Sequence, residues 1–265
     1  MSHEVFDRVA EYYDAARPGY PDGVYDAVAS LCEMSLEGAV VVDVGAGTGI
    51  STRGLLARGA RVTAIDPGER MLARLVSHAA RPGVVVGDGN MLPLREGVAD
   101  LVCYAQSWHW LRPADSIAEA VRVLRPGGVL AAWWNTVDLG ATPDDAQGTG
   151  ADWLVAFERR LAASCPAYWG PALPQWRVPQ VARAMGEAGL SVQEAWIHWV
   201  RRISVDDMLL DLRSHAFVAS LGDEAATAVV VRERDELRKA APDGELEVPM
   251  RVYLAMARTP EDGDG

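Results

Sequence analysis

The chain has 265 residues, 49% of them apolar and 23% charged, with 25 basic against 37 acidic side chains and a net charge of −12. This composition excludes disorder over most of the length, and the negative balance speaks against nucleic acid as a partner, because phosphates would repel the chain. No apolar run reaches the roughly 18–20 residues of a membrane span and the acidic opening MSHEVFDRVAEYYD is not a secretory leader, so a cytoplasmic protein with no membrane partner is expected. Three cysteines (Cys32, Cys103, Cys165) are scattered and odd in number, and the five histidines show no paired spacing. Neither a disulfide framework nor a metal site is expected.

Residues 1–38 read as helical with a break at Arg17-Pro18-Gly19-Tyr20-Pro21, where two prolines forbid a continuous helix. Asp22 can cap a helix whose Val24, Val28, Leu31 and Cys32 share one face. Residues 39–44 form a β-branched run of the kind that is covered on both faces. The turn Gly45-Ala46-Gly47-Thr48-Gly49 ends it, and a helix follows at 50–58. Strands at 61–65, 84–86, 99–105 and 129–134 then alternate with helices at 68–79 and from Pro113 to a stop at Arg125-Pro126-Gly127-Gly128. That rhythm predicts a parallel sheet with right-handed crossovers over residues 39–135. A polar loop at 136–150 precedes an irregular helical stretch at 151–189 that carries Trp153, Phe157, Tyr168, Trp169 and Trp176. A strand at 191–203, helices near 205–219 and 223–240, a strand at 247–257 and an acidic tail complete the chain.

A glycine turn between a strand and a helix lets a ligand approach backbone N–H groups. The spacing Gly45-x-Gly47-x-Gly49 lacks the glycine at position 50 that a dinucleotide fingerprint needs, and no Gly-Lys-Ser/Thr of a Walker loop is present. Asp66 closes the next strand, where its carboxylate can accept from both hydroxyls of a ribose. Asp88, in Gly87-Asp88-Gly89-Asn90-Met91, follows the third strand, where a carboxylate can accept from an adenine amino group. Ligands of open α/β sheets bind at these carboxyl ends.

The segments VVDVGAGTG, AIDPGERML, GDGNMLPL and RVLRPGGVL resemble the successive motifs of the class I S-adenosylmethionine (SAM) dependent methyltransferases, over residues 40–135. Phe6-x-x-x-Ala10-x-x-Tyr13-Asp14-x-x-Arg17-Pro18-x-Tyr20-Pro21 and Trp108-His109-Trp110 are similar to the small-molecule branch that includes trans-aconitate-type and ubiquinone-biosynthesis-like enzymes. The resemblance implies an α/β, Rossmann-like fold: a seven-stranded, mostly parallel sheet with an antiparallel last strand and a helical substrate cover. It divides the chain into an N-terminal lid (1–38), a SAM-binding core (39–135), a linker and cover (136–190), closing strands and helices (191–258) and a tail (259–265). It places Gly45, Ala46, Gly47, Gly49 and Gln106 along the methionine part of SAM, with Asp43 bracing the loop from behind. It places Asp66 on the ribose, Pro67, Met71, Asp88, Gly89, Asn90 and Met91 around the adenine, and Tyr13 and Arg17 over the cofactor.

Methyl transfer from a sulfonium is an in-line displacement with a neutral leaving group, so positioning supplies most of the catalysis. A base is needed only where the acceptor must lose a proton. His109 is the candidate base, because it follows the fourth strand and its ordinary pKa lies near neutrality. Tyr13 and Tyr20 are candidates to bind the acceptor. Trp108, Trp133, Trp134, Trp169, Trp176 and His215 complete a candidate substrate pocket. Nine tryptophans among 19 aromatic residues point to a bulky or aromatic natural-product acceptor, methylated on O, N or C. A repurposed fold that runs a cyclisation or rearrangement, or a non-catalytic SAM-binding module, is the alternative. The oligomeric state is expected to be a monomer or homodimer.

Overall fold

The computed structural model describes residues 18–31, 33–78, 82–140 and 152–261. In chain order the elements are α1 (Asp22–Leu31), β1 (Val40–Val44), α2 (Ile50–Leu56), β2 (Arg61–Asp66), α3 (Glu69–His78), β3 (Gly83–Val86) and β4 (Ala99–Ala105). After a 3-10 turn (Trp108–Trp110) come α4 (Pro113–Val123), β5 (Leu124–Val137), α5 (Asp152–Ser164), α6 (Val181–Glu187) and β6 (Val192–Ser204). The chain continues with α7 (Val205–Ser214), α8 (Ala216–Ala219), α9 (Asp223–Ala240) and β7 (Glu245–Arg258). Among the described residues seven strands form one sheet in the order β3-β2-β1-β4-β5-β7-β6, mostly parallel with its last strands antiparallel. The expected fold class is therefore the observed one.

The chain forms two compact units. One comprises residues 19–135, 178–197 and the segment after 251. Its centre is β1, flanked by β2 and β4, and its Val41, Val42 and Val44 are buried, as in a parallel strand covered on both faces. The core gathers Val42, Val44, Ile65, Val102, Tyr104, Leu130 and Trp134 from the sheet with Ile117, Ala120 and Val123 from α4. Pro113 starts α4 at the position where its missing N–H and fixed φ cost nothing.

In the sheet, Val44 lies opposite Ile65, Asp66 opposite Val86, Asp43 opposite Cys103, and Ala105 opposite Trp133. Parallel strands in this register end at one level. The turns after β1, β2, β3 and β4 therefore leave from the same edge.

The other unit comprises residues 136–177 and 198–251. Its core is a separate cluster of Leu154, Phe157 and Leu161 from α5, Met208, Leu209 and Leu212 from α7, and Val229, Val230 and Leu237 from α9. Two arrangements satisfy its buried glutamates. Glu233 receives the guanidinium groups of Arg160 (2.7 Å) and Arg232 (2.8 Å), and Glu158 accepts from the Tyr168 hydroxyl. Burial pushes the Glu158 carboxyl up to about 7. Among the described residues one buried thiol lies in each unit, Cys103 on β4 and Cys165 just after α5.

Two sequence expectations are corrected. The strand expected at 129–134 begins at Leu124 and runs to Val137. Leu124 pairs with Ala99 while Val129 pairs with Leu101, so Arg125–Gly128 bulge out of a strand instead of separating it from the helix. Residues 178–190 were expected within the cover. They group with the sheet unit because Val181 and Met185 of α6 are fully buried in its core.

Candidate active site

The candidate site grows from four turns at the carboxyl edge of the sheet, all in the first unit. Gly45 and Ala46 donate their N–H groups to the Ile65 carbonyl (2.7 and 3.1 Å), which ties the glycine turn to the end of β2. Gly45, Gly47 and Gly49 all adopt positive φ (71°, 57° and 86°), a region that disfavours any side chain. Their surroundings differ. A Cβ on Gly45 would stand 2.3 Å from that of Ser107, and one on Gly49 2.6 Å from Leu75. A Cβ on Gly47 would meet nothing within 4 Å among the described residues. Gly45 and Gly49 are thus glycine for close packing, whereas the Gly47 backbone faces open space that a ligand can fill.

Asp66 clasps two turns at once. One carboxylate oxygen accepts from Gly47 N–H (2.9 Å) and the other from Gly68 N–H (2.7 Å). Each oxygen of a carboxylate has a further lone pair for a hydroxyl donor. Pro67 is exposed beside it, and Met71 is buried beneath. In the third turn Asp88 is exposed, and its Oδ1 accepts from the backbone and side-chain amides of Asn90 (2.8 and 2.7 Å). Gly89 passes so close to Val44 and Leu111 that a Cβ would lie 2.8–2.9 Å from them. Met91 stands 72% exposed, an apolar side chain that the core does not use.

Behind the glycine turn Asp43 is fully buried. Its oxygens accept from Thr52 Oγ1 (2.7 Å) and the Cys103 thiol (3.7 Å), and burial pushes its carboxyl up to about 6. This is the geometry of a brace between β1, β4 and α2. The hydroxyls of Thr48 and Ser51 are also buried here and have no hydrogen-bond partner among the described residues.

The fourth turn holds three more of the expected residues. Gln106 is forced to φ +54° and donates its N–H to the Trp133 carbonyl (2.9 Å). Such backbone is costly for a residue with a side chain and collects at functional sites. Ser107, which the sequence reading missed, donates to the Val44 carbonyl and so clips this turn against the glycine turn. Trp108 is buried in the core, whereas Trp110 is 50% exposed. The far end of the segment is tied down by Arg112 N–H, which donates to Asn90 Oδ1 (2.7 Å).

His109 is exposed at its outer side and rests 4.8 Å from the Trp110 ring. Its Nδ1 accepts from Trp134 Nε1–H (3.1 Å), and burial of its inner side lowers its pKa. Trp134 and Trp133 are themselves buried. Trp133 packs edge-on against Tyr20 and Tyr25, with ring centroids 6.0 and 6.2 Å away, and its Nε1–H has no partner among the described residues. The other expected pocket residues belong to the second unit. Trp169 is 61% exposed, Trp176 is half-buried, and His215 stacks on Phe217 (4.9 Å) with Asp211 3.6 Å away. Tyr13 and Arg17 lie outside the described residues. Among the described residues no group of three His, Cys, Asp or Glu is disposed to hold a metal, and no helix is long and apolar enough to cross a membrane.

Residues 42–132 match the model of the family described as "Methyltransferase domain". An uncharacterized methyltransferase of Mycobacterium tuberculosis is 40% identical over 126 residues, which are 48% of this chain and 50% of that protein. A malonyl-[acyl-carrier protein] O-methyltransferase of Methylococcus capsulatus is 40% identical over 134 residues, 45% of this chain and 48% of that protein. The chain spans about half the length of the curated relatives it matches. A solved structure of a candidate type II methyltransferase from Anaeromyxobacter dehalogenans is 24% identical with a TM-score of 0.63, covering 92% of this chain and 97% of that one. Residues 42–132 are thus similar to a methyltransferase domain, and the strand order and the likeness to the solved structure show the same Rossmann-like fold.

Proposed function

We propose that the protein uses SAM to methylate a small-molecule acceptor. One observation carries this reading: the turns after β1, β2, β3 and β4 are bonded to one another around the open face of Gly47. The residues present suit an adenosyl sulfonium. Asp66 and Asp88 supply acceptors for ribose hydroxyls and an adenine amino group, Met91 offers an apolar surface for a flat ring, and the orphaned hydroxyl of Thr48 lies in the glycine turn. Bound there, the sulfonium supplies an electrophilic methyl and a neutral leaving group. The chain's own part is to orient the two reactants and exclude water, which can lower a barrier by roughly 7–11 kcal/mol.

The aromatic side chains at the ends of β4 and β5 support an acceptor with a bulky or aromatic body, since Trp110 is exposed next to the turns that would hold the cofactor. Calorimetry with SAM and S-adenosylhomocysteine tests the cofactor, and mass spectrometry of reactions with organic acids, phenols and indoles tests the transfer. Binding followed by a product heavier by one methyl group is expected. No heat with either nucleoside refutes the proposal. A product of unchanged mass would instead identify a cyclisation or rearrangement.

A further inference from the structure

We propose that His109 holds the methyl acceptor as a hydrogen-bond donor, from Nε2–H to a carboxylate oxygen, and that the Trp134 indole sets the tautomer that makes it one. The choice of a carboxylate rests on the methyltransferase reading above, whereas the tautomer does not.

The indole nitrogen of Trp134 can only donate, so the imidazole nitrogen 3.1 Å away must offer its lone pair. That nitrogen is Nδ1, and a neutral imidazole with a bare Nδ1 carries its proton on Nε2. An imidazolium would turn a second N–H toward the indole N–H. The pair therefore opposes protonation, in the same sense as the burial that lowers the pKa of the ring.

Trp134 is well fixed for this task. It is 6% exposed, sits in the core of the sheet unit and packs 6.4 Å from Tyr253, whose hydroxyl bonds Glu194. The 3-10 turn that carries His109 is held at both ends, by Ser107 on the Val44 carbonyl and by Arg112 on Asn90. His109 itself remains exposed. With Nδ1 occupied and Nε2 protonated, the ring has no lone pair with which to take a proton from an acceptor. This geometry argues against the general base expected from sequence.

A carboxylate needs no base. Its oxygen already carries the electron pair that forms the new O–C bond while the S–C bond breaks. The pair of the broken bond stays on sulfur, the two opposite charges cancel, and no proton moves. A donor at Nε2 can bind one oxygen of the carboxylate and aim the other. The Methylococcus relative is described as an O-methyltransferase of a malonyl group, in line with this class.

The test has two arms on the full chain. In the first, long-range proton–nitrogen correlation spectra of protein labelled with 15N-histidine report the tautomer of His109, assigned by loss of its signals in His109→Gln. The Nε2–H form is expected, with an Nδ1–H population appearing in Trp134→Phe. An Nδ1–H form in the wild type, or no change in a folded Trp134→Phe, overturns the tautomer. If Trp134→Phe does not fold, the wild-type spectrum decides alone.

In the second arm, methyl transfer is measured with a malonyl thioester, a set of di- and tricarboxylic acids, and phenols and indoles. Gln keeps a donor near the Nε2 position and cannot act as a base; Ala keeps neither function. His109→Gln should stay within about threefold of wild type on acids, and His109→Ala should lose about tenfold, mostly through KM, the scale of one hydrogen bond. Both should bind S-adenosylhomocysteine as the wild type does. A Gln variant as inactive as the Ala variant overturns the donor role, and turnover of phenols or indoles but not of acids overturns the carboxylate. Transfer to no acceptor at all, with the expected tautomer seen, would strike the methyltransferase reading and the acceptor role together while leaving the Trp134–His109 pairing established.

Discussion

Replacing Asp43 by Asn removes a titratable carboxyl that the fold keeps fully buried behind the glycine turn. Burial raises the carboxyl from 3.8 to about 6, against the opposing hydrogen bonds from Thr52 and Cys103. A folded-state pKa above the unfolded one means that the native protein holds the proton more tightly. The stability linked to this group is therefore complete below the unfolded value and is lost as pH rises through about 6. Roughly two units at about 1.36 kcal/mol each give a total near 3 kcal/mol, of which about 2 kcal/mol is lost between about pH 4.5 and pH 8. Asn has the same shape, accepts from Thr52 and does not titrate. Any fixed cost of its extra N–H beside Cys103, about 1 kcal/mol, is the same at every pH and cancels. Urea unfolding of both proteins across that range should show the difference in stability move in favour of Asp43→Asn by about 2 kcal/mol as pH rises. A difference that stays constant, or moves the other way, would mean that burial does not raise the Asp43 carboxyl, and the account of the brace would fail.

Other substitutions separate folding from binding. Gly45→Ala drives a Cβ to 2.3 Å from Ser107 at positive φ and should cost about 3 kcal/mol or more in denaturant unfolding. Gly47→Ala meets no neighbour, so only the backbone penalty of about 1 kcal/mol should appear in stability, while calorimetry should show S-adenosylhomocysteine binding weakened at least tenfold. Glu158, raised to about 7, should give stability that declines as pH climbs through that value, and Glu158→Gln should flatten the thermal midpoint between about pH 6 and pH 8.5. Glu233→Ala removes a fully buried carboxylate from two part-exposed arginines, Arg160 and Arg232, which water can reach, and should cost about 1–2 kcal/mol of unfolding free energy, with cofactor affinity unchanged.

The parallel core was legible in the sequence because its signals are local. The valine run of β1, the glycine turn behind it and the acidic residue closing β2 are each adjacent in the chain, and they recur in the order the fold requires. The bulge at Arg125–Gly128 was misread as a stop because Pro and Gly punctuate strands as well as helices, and only the partner strand shows which. Helix α6 was assigned to the cover because its burial depends on which core Val181 and Met185 meet, a choice made by tertiary packing alone. The site residues could be named, but their partners could not. Ser107 and Val44 are 63 positions apart, and Trp134 and His109 25, so no window of sequence holds either pair.

The two enclosed thiols among the described residues give the protein a built-in pair of clocks. Cys103 lies in the central sheet and Cys165 in the separate helical core, and both are held protonated by burial. A thiol reacts as its anion, so neither residue should be alkylated until its own surroundings open. Tagging time courses read peptide by peptide would then report the opening of each unit separately, and a ligand that seals the four turns should slow the first clock and leave the second to run.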